Sequence, residues 1–94
     1  FSNRPNKSVI ESNIKNEILV DVRTPEEYTS GHIPGAINIP LNECSKVKLD
    51  PDQKYNLYCL SGSRANLAKT ILKERGYHVE NIGAIKDWDG PLEH

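Results

Sequence analysis

Two short apolar runs, Ile18-Leu19-Val20-Asp21-Val22 and Tyr55-Asn56-Leu57-Tyr58-Cys59, are each followed within a few residues by a helix-starting pattern. That alternation constrains the fold more than any other feature of the chain. Runs of this length, rich in branched and aromatic residues and bounded by polar ones, read as buried strands. After the first run, Thr24 stands as an N-cap, Pro25 takes the first helical position and Glu27 completes a capping box. The spacing predicts a helix of about two turns to Ser30, stopped by Gly31 in a left-handed conformation. After the second run, Ala65, Ala68, Ile71 and Leu72 fall on one face of a helix that ends at Gly76. Strand, helix, strand, helix implies an α/β domain with a mainly parallel central sheet flanked by helices.

The remaining segments fill in that frame. Residues 1–7 are polar and irregular. Ser8 with Glu11 forms another capping-box pattern, and Ile10 and Ile14 share a face, so a short helix is expected over 8–15. His32-Ile33-Pro34-Gly35 reads as a turn and Ala36–Ile39 as a short strand ended by Pro40. Residues 41–50 fit helix or loop, Asp50-Pro51-Asp52 starts a turn, and Tyr77–Ile82 is a fourth strand. Gly83-Ala84 then leads into a short segment carrying Trp88, and Leu92-Glu93-His94 reads as the start of an expression tag without fold information. A length of 94 residues with 36% hydrophobic and 27% charged residues suits one small globular domain.

Several classes are argued against by the same numbers. Lys plus Arg is 12 and Asp plus Glu is 13, so there is no basic footprint for nucleic acid and no polybasic membrane patch. No apolar run in the chain is long enough to span a bilayer. Cysteines at 44 and 59 give no CxxC, no zinc spacing and no disulfide framework. No metal or cofactor is expected.

The informative constellation is Cys59-Leu60-Ser61-Gly62-Ser63-Arg64. A cysteine ends a strand, a short polar loop comes next, and a helix starts beyond it. Open α/β sheets bind ligands at this location. Unpartnered N–H groups of the loop and the first helical turn can converge on an anion, and Gly62 lets the backbone curl. Arg64 adds a positive charge. Such a setting favours a thiolate over a thiol, making Cys59 a candidate nucleophile. A packed structural cysteine is the alternative, because free Cys behaves as a small hydrophobe.

At these residues the chain resembles the rhodanese superfamily. Leu19-Val20-Asp21-Val22-Arg23 with Pro25-Glu26-Glu27-Tyr28, then Gly31–Pro40, is similar to its first signature. The C-x-x-G-x-R loop at 59–64 is similar to the active-site loop of its sulfurtransferases, and Gly83-Ala84-Ile85 with Trp88 and Gly90 to its closing segment. The resemblance implies a single rhodanese domain over residues 1–91. It implies that a Cys59 thiolate takes the outer sulfur of thiosulfate or a persulfide donor, becomes a persulfide, and passes that sulfur to cyanide or a thiol. Leu60, Ser61, Gly62, Ser63 and Arg64 would form the binding loop, with Arg64 attracting the donor. Ser61 and Ser63 would donate to the sulfur or cap the helix. The physiological acceptor would be a thiol, a thioredoxin-like partner or a fused redox domain.

Four residues separate Cys59 from Arg64, whereas related cysteine phosphatases carry one more, which makes phosphatase or arsenate-reductase chemistry the weaker alternative. A different alternative is a non-catalytic interaction or sulfur-relay module of a larger protein. The loop has Arg64 as its one cation and Leu60 where some relatives are basic, which favours a persulfide or polysulfide over thiosulfate. Ala84 stands where the family often has glycine. Asp21 and Arg23 are supporting residues: Asp21 is read as structural, and Arg23 as either structural or part of the site. His32 is read as structural, Glu26 and Glu27 as helix-start charges, Trp88 and the tyrosines as packing, and Cys44 as a partly buried thiol or a resolving cysteine. The expected compartment is the cytoplasm, or the periplasm if a signal peptide has been removed.

Overall fold

The computed structural model describes residues 17–94. The lead-in at 1–7 and the helix expected over 8–15 lie outside those described residues. Four parallel strands form one sheet in the order β2-β1-β3-β4: β1 is Glu17–Asp21, β2 Ile37–Asn38, β3 Lys54–Cys59 and β4 His78–Ala84. Helix α1 (Pro25–Ser30) comes after β1, and helix α2 (Ser63–Glu74) after β3. No helix among the described residues is long and apolar enough to cross a membrane.

Strand alternation sends side chains to two cores. Val20, Tyr55, Leu57, Cys59 and Val79 face Ala65, Ala68 and Leu72 of α2, together with Ile39 and Cys44. Tyr58 points the other way, into a smaller cluster with Ile33, Ala36 and Ile85, against which Leu19, Tyr28, Ile82 and Trp88 pack. Both faces of the sheet are covered, as a parallel sheet requires. Leu57 and Leu72 have no exposed surface, and burial of a side chain of this size contributes roughly 1.5–3 kcal/mol.

The helix signals act as read. The Thr24 hydroxyl accepts from Glu27 N, Glu27 accepts in return from Thr24 N, and Pro25 opens the helix. The Pro34-Gly35 turn closes through Ala36 N to Ile33 O at 3.0 Å. Residues 41–50 hold a single 3-10 turn, Leu41–Glu43, and then loop.

Three expectations need correction. Gly31 ends α1 at a positive φ of 154°, a conformation that favours glycine, but its ψ of 127° lies outside the left-handed helical region. The next residue, His32, pairs at once with Glu93 in an antiparallel bridge. Residues 92–94 are therefore not outside the fold. His32 N donates to Glu93 O and Glu93 N to His32 O, both at 2.8 Å, and Gly35 N donates to the Glu93 carboxylate at 3.1 Å. Finally, β4 runs two residues beyond Ile82 to Ala84, because a register irregularity between Leu57 and Tyr58 lets Gly83 and Ala84 continue the ladder.

The topology defines where a site can form. From β1 the chain moves to β2 on one side, then crosses to β3 on the other. The crevice at the carboxyl ends of β1 and β3 is thus the point where the winding reverses, the ordinary ligand position of an open α/β sheet. Asp21 and Cys59 end those two strands.

Candidate active site

Cys59 is fully buried at the end of β3, and its Sγ accepts two backbone hydrogen bonds. Gly62 N donates at 3.0 Å and Ala65 N at 3.3 Å. The loop achieves this by turning back over the sulfur at Gly62, whose φ of 101° and ψ of −16° place it in the left-handed region. Gly62 is also the N-cap of α2, without a side-chain cap bond. The orphan N–H groups that a side chain would normally satisfy at a helix start are therefore available to the sulfur. Two N–H donors on one sulfur form a cradle for a sulfur anion.

The loop is braced from β4. Asn81 Nδ2 donates to Gly62 O at 3.1 Å, and its Oδ1 accepts from Gly83 N at 2.9 Å. Lys86 N donates to Leu60 O at 3.4 Å. Leu60 is about half exposed on the rim, beside exposed Ser61 and Ser63. The hydroxyls of Ser61 and Ser63 lie 3.4 Å apart. Of the two roles left open for these serines, the helix cap belongs to Gly62.

Arg64 lies in the first turn of α2 and does not stand free. Its Nη1 and Nη2 donate to Glu27 Oε1 and Oε2 at 2.7 and 3.0 Å, a two-pronged pair. The Arg64 guanidinium is held above its usual range first by this hydrogen bond, against burial, with the Cys59 sulfur among the further contributors. The Glu27 carboxyl is drawn down to about 2, chiefly by the Arg64 hydrogen bond. Its carboxylate is therefore charged at any neutral pH, and the pair is lost only as pH falls through about 2. Reading Glu27 as a helix-start charge is right but incomplete. Its cross-chain partner lies 37 residues away, beyond any local signal.

Asp21 and Arg23 form a second, deeper pair. Arg23 Nε donates to both Asp21 oxygens at 3.0 Å and Nη2 to Oδ2 at 2.7 Å. Arg23 Nη2 also donates to Gly31 O at 2.7 Å, and Arg23 N to Asp21 Oδ1 at 2.8 Å. Burial works against the Arg23 charge, but the bonds to Asp21 outweigh it and raise its pKa. The pair ties β1 to the exit of α1, and the Asp21 carboxylate also hydrogen-bonds the Tyr58 side chain. Tyr58, next to Cys59, accepts from Ile33 N at 3.1 Å, and burial foremost pushes its phenol well above the usual range.

His32 lies outside the cradle. Its Nδ1 sits 2.9 Å from Tyr28 O and its ring stacks on Tyr28 at 3.8 Å. Cys44 is buried, its thiol directed at Pro40 O at 3.7 Å and its pKa raised by burial. Asn81 is the loop brace that the sequence reading missed, since nothing in its local pattern marks it.

Gly62→Ala tests the cradle directly. A side chain at a left-handed position costs about 1 kcal/mol, and relaxing the turn withdraws one donor from the sulfur. The expected outcome is a lower melting temperature together with slower alkylation of Cys59. Unchanged values of both would contradict the geometry.

Residues 6–90 match the model of the rhodanese-like domain family. Thiosulfate sulfurtransferase PspE of Escherichia coli (strain K12) is 45% identical over 76 residues, covering 76% of this chain and 73% of that protein. Putative sulfur carrier protein YrkF of Bacillus subtilis (strain 168) is 34% identical over 79 residues, which is 80% of this chain but only 43% of that protein. Among solved structures, a rhodanese with anions from E. coli superposes with a TM-score of 0.72 at 43% identity, covering 82% of this chain and 96% of that one.

Proposed function

Because the chain belongs to the rhodanese-like domain family, we propose that it is a sulfurtransferase that carries a sulfane sulfur as a persulfide on Cys59. The observation that carries this reading is the pair of N–H groups from Gly62 and Ala65 on Cys59 Sγ. They stabilise the Cys59 thiolate before it accepts a second sulfur. The E. coli rhodanese solved with anions supports an anion-binding role for the same fold.

In the first step the Cys59 thiolate attacks the outer sulfur of thiosulfate or a persulfide. The new sulfur–sulfur bond forms as the donor's own bond to that sulfur breaks, and sulfite or a thiolate leaves with the electron pair. In the second step cyanide or an acceptor thiolate attacks the terminal sulfur and Cys59 leaves as thiolate. Neither step needs a general base, which agrees with the position of His32 away from the cradle. Cys59 has no exposed surface, so donor approach requires the exposed rim at Leu60 and Ser61 to yield.

Asp21 and Arg23 serve this reaction as structural support, and Arg64 ties the loop to α1 through Glu27. A thiol or thioredoxin-like acceptor suits the exposed rim. A second reading, sulfur relay within a longer protein, draws support from the sulfur carrier relative, of which this chain spans less than half. Steady-state kinetics test the two-step mechanism. Varying donor at several acceptor concentrations is expected to give parallel double-reciprocal lines. Intersecting lines would rule out a free persulfide intermediate.

A further inference from the structure

We propose that Glu27 selects the sulfur donor: by holding Arg64 in a closed, charge-compensated pair, it favours donors of low negative charge over the thiosulfate dianion. The proposal rests on the sulfurtransferase reading. Arg64 is the one cation of the loop from 59 to 64. A guanidinium there would attract a dianion to Cys59, yet two of its N–H groups are spent on the two oxygens of Glu27.

The carboxylate is held from its own side as well. Glu27 Oε1 accepts from Thr24 N at 3.0 Å and from the Thr24 hydroxyl at 3.2 Å. Turning away from Arg64 would therefore also break the capping box that starts α1. Most surface ion pairs are loose and weak. This one is two-pronged, its carboxylate is anchored by Thr24, and both side chains are only about one-third exposed. A donor approaching the cradle thus meets a neutral pair instead of a cation. On the rim, half-exposed Leu60 adds an apolar surface that suits a donor with an organic group.

A structural alternative is that Glu27 merely fastens α1 to α2. Charge separates the two ideas. Thiosulfate is a dianion and methanethiosulfonate a monoanion, and both deliver an outer sulfur to a thiolate. The experiment measures donor kcat/KM for each with cyanide as acceptor, in the unaltered protein and in Glu27→Gln. Glutamine still fits the capping box but leaves the Arg64 charge uncompensated. The expected result, at an ionic strength of about 10 mM where screening reaches roughly 30 Å, is an approximately fivefold rise of the thiosulfate-to-methanethiosulfonate ratio, fading as salt is added.

An unchanged ratio, or one moving toward methanethiosulfonate, overturns the proposal. A parallel fall for both donors with a lower melting temperature also overturns it, since Glu27 would then be only a fastener. Transfer from a polysulfide alone would overturn the proposal, and absence of transfer from all three donors in the unaltered protein would instead overturn the sulfurtransferase reading on which it stands.

Discussion

Asp21→Ala is expected to lower stability by about 3 kcal/mol, the cost of leaving a buried charge without its partner. In a domain of this size that corresponds to a fall in melting temperature on the order of 15 °C. Asp21 has no exposed surface and Arg23 only 6%, so water cannot replace the missing carboxylate. Arg23 would retain one bond, to Gly31 O. Removing both charges, as in Asp21→Ala with Arg23→Met, is expected to recover much of the loss, because a buried pair is dearer to break than to replace. Turnover per folded molecule is expected to stay near that of the unaltered protein, since the bonds of Arg23 go to Asp21 and Gly31 rather than to the 59–64 loop. A melting temperature within a few degrees of the original would contradict the account of the pair. Normal folding with lost turnover would move Asp21 into the site.

Cys59→Ser is expected to do the reverse, leaving the fold and removing the reaction. A serine oxygen can accept from Gly62 N and Ala65 N as the sulfur does, so the stability change is expected to be within about 1 kcal/mol. Turnover in the thiocyanate assay is expected to fall by more than about 10³-fold, because the hydroxyl provides no thiolate and the covalent route closes. Residual turnover near the original level would show that another group carries the sulfur. Cys44 is poorly suited to that part: it is buried, and burial raises its pKa away from the reactive form.

Much of the fold was legible because its signals are local. The strands, the Thr24-Pro25-Glu27 helix start, the Pro34-Gly35 turn and the apolar face of α2 depend on residues a few positions apart, and each appears within a residue or two of its expected place. The position of Cys59 at a strand end before a helix was legible for the same reason. What escaped depends on distant partners. Glu27 meets Arg64 because β1 and β3 are neighbours and each leads into a helix starting at the same crevice. Asn81 reaches Gly62 because β4 lies beside β3. The residue after Gly31, His32, pairs with Glu93, which lies 61 positions away. Capping had already accounted for Glu27, so nothing in the chain pointed to a second partner. Ala65 N supplies half the cradle, and it belongs to the first helical turn whose unpartnered N–H groups were expected to converge on an anion.

The central claim, that Cys59 carries a transferable sulfur, is tested most directly by intact mass after incubation with thiosulfate and, separately, with a polysulfide. The unaltered protein and Cys44→Ser are expected to gain one sulfur atom that a reductant removes, while Cys59→Ser gains none. No gain from either donor, or a gain that persists in Cys59→Ser, would contradict the account.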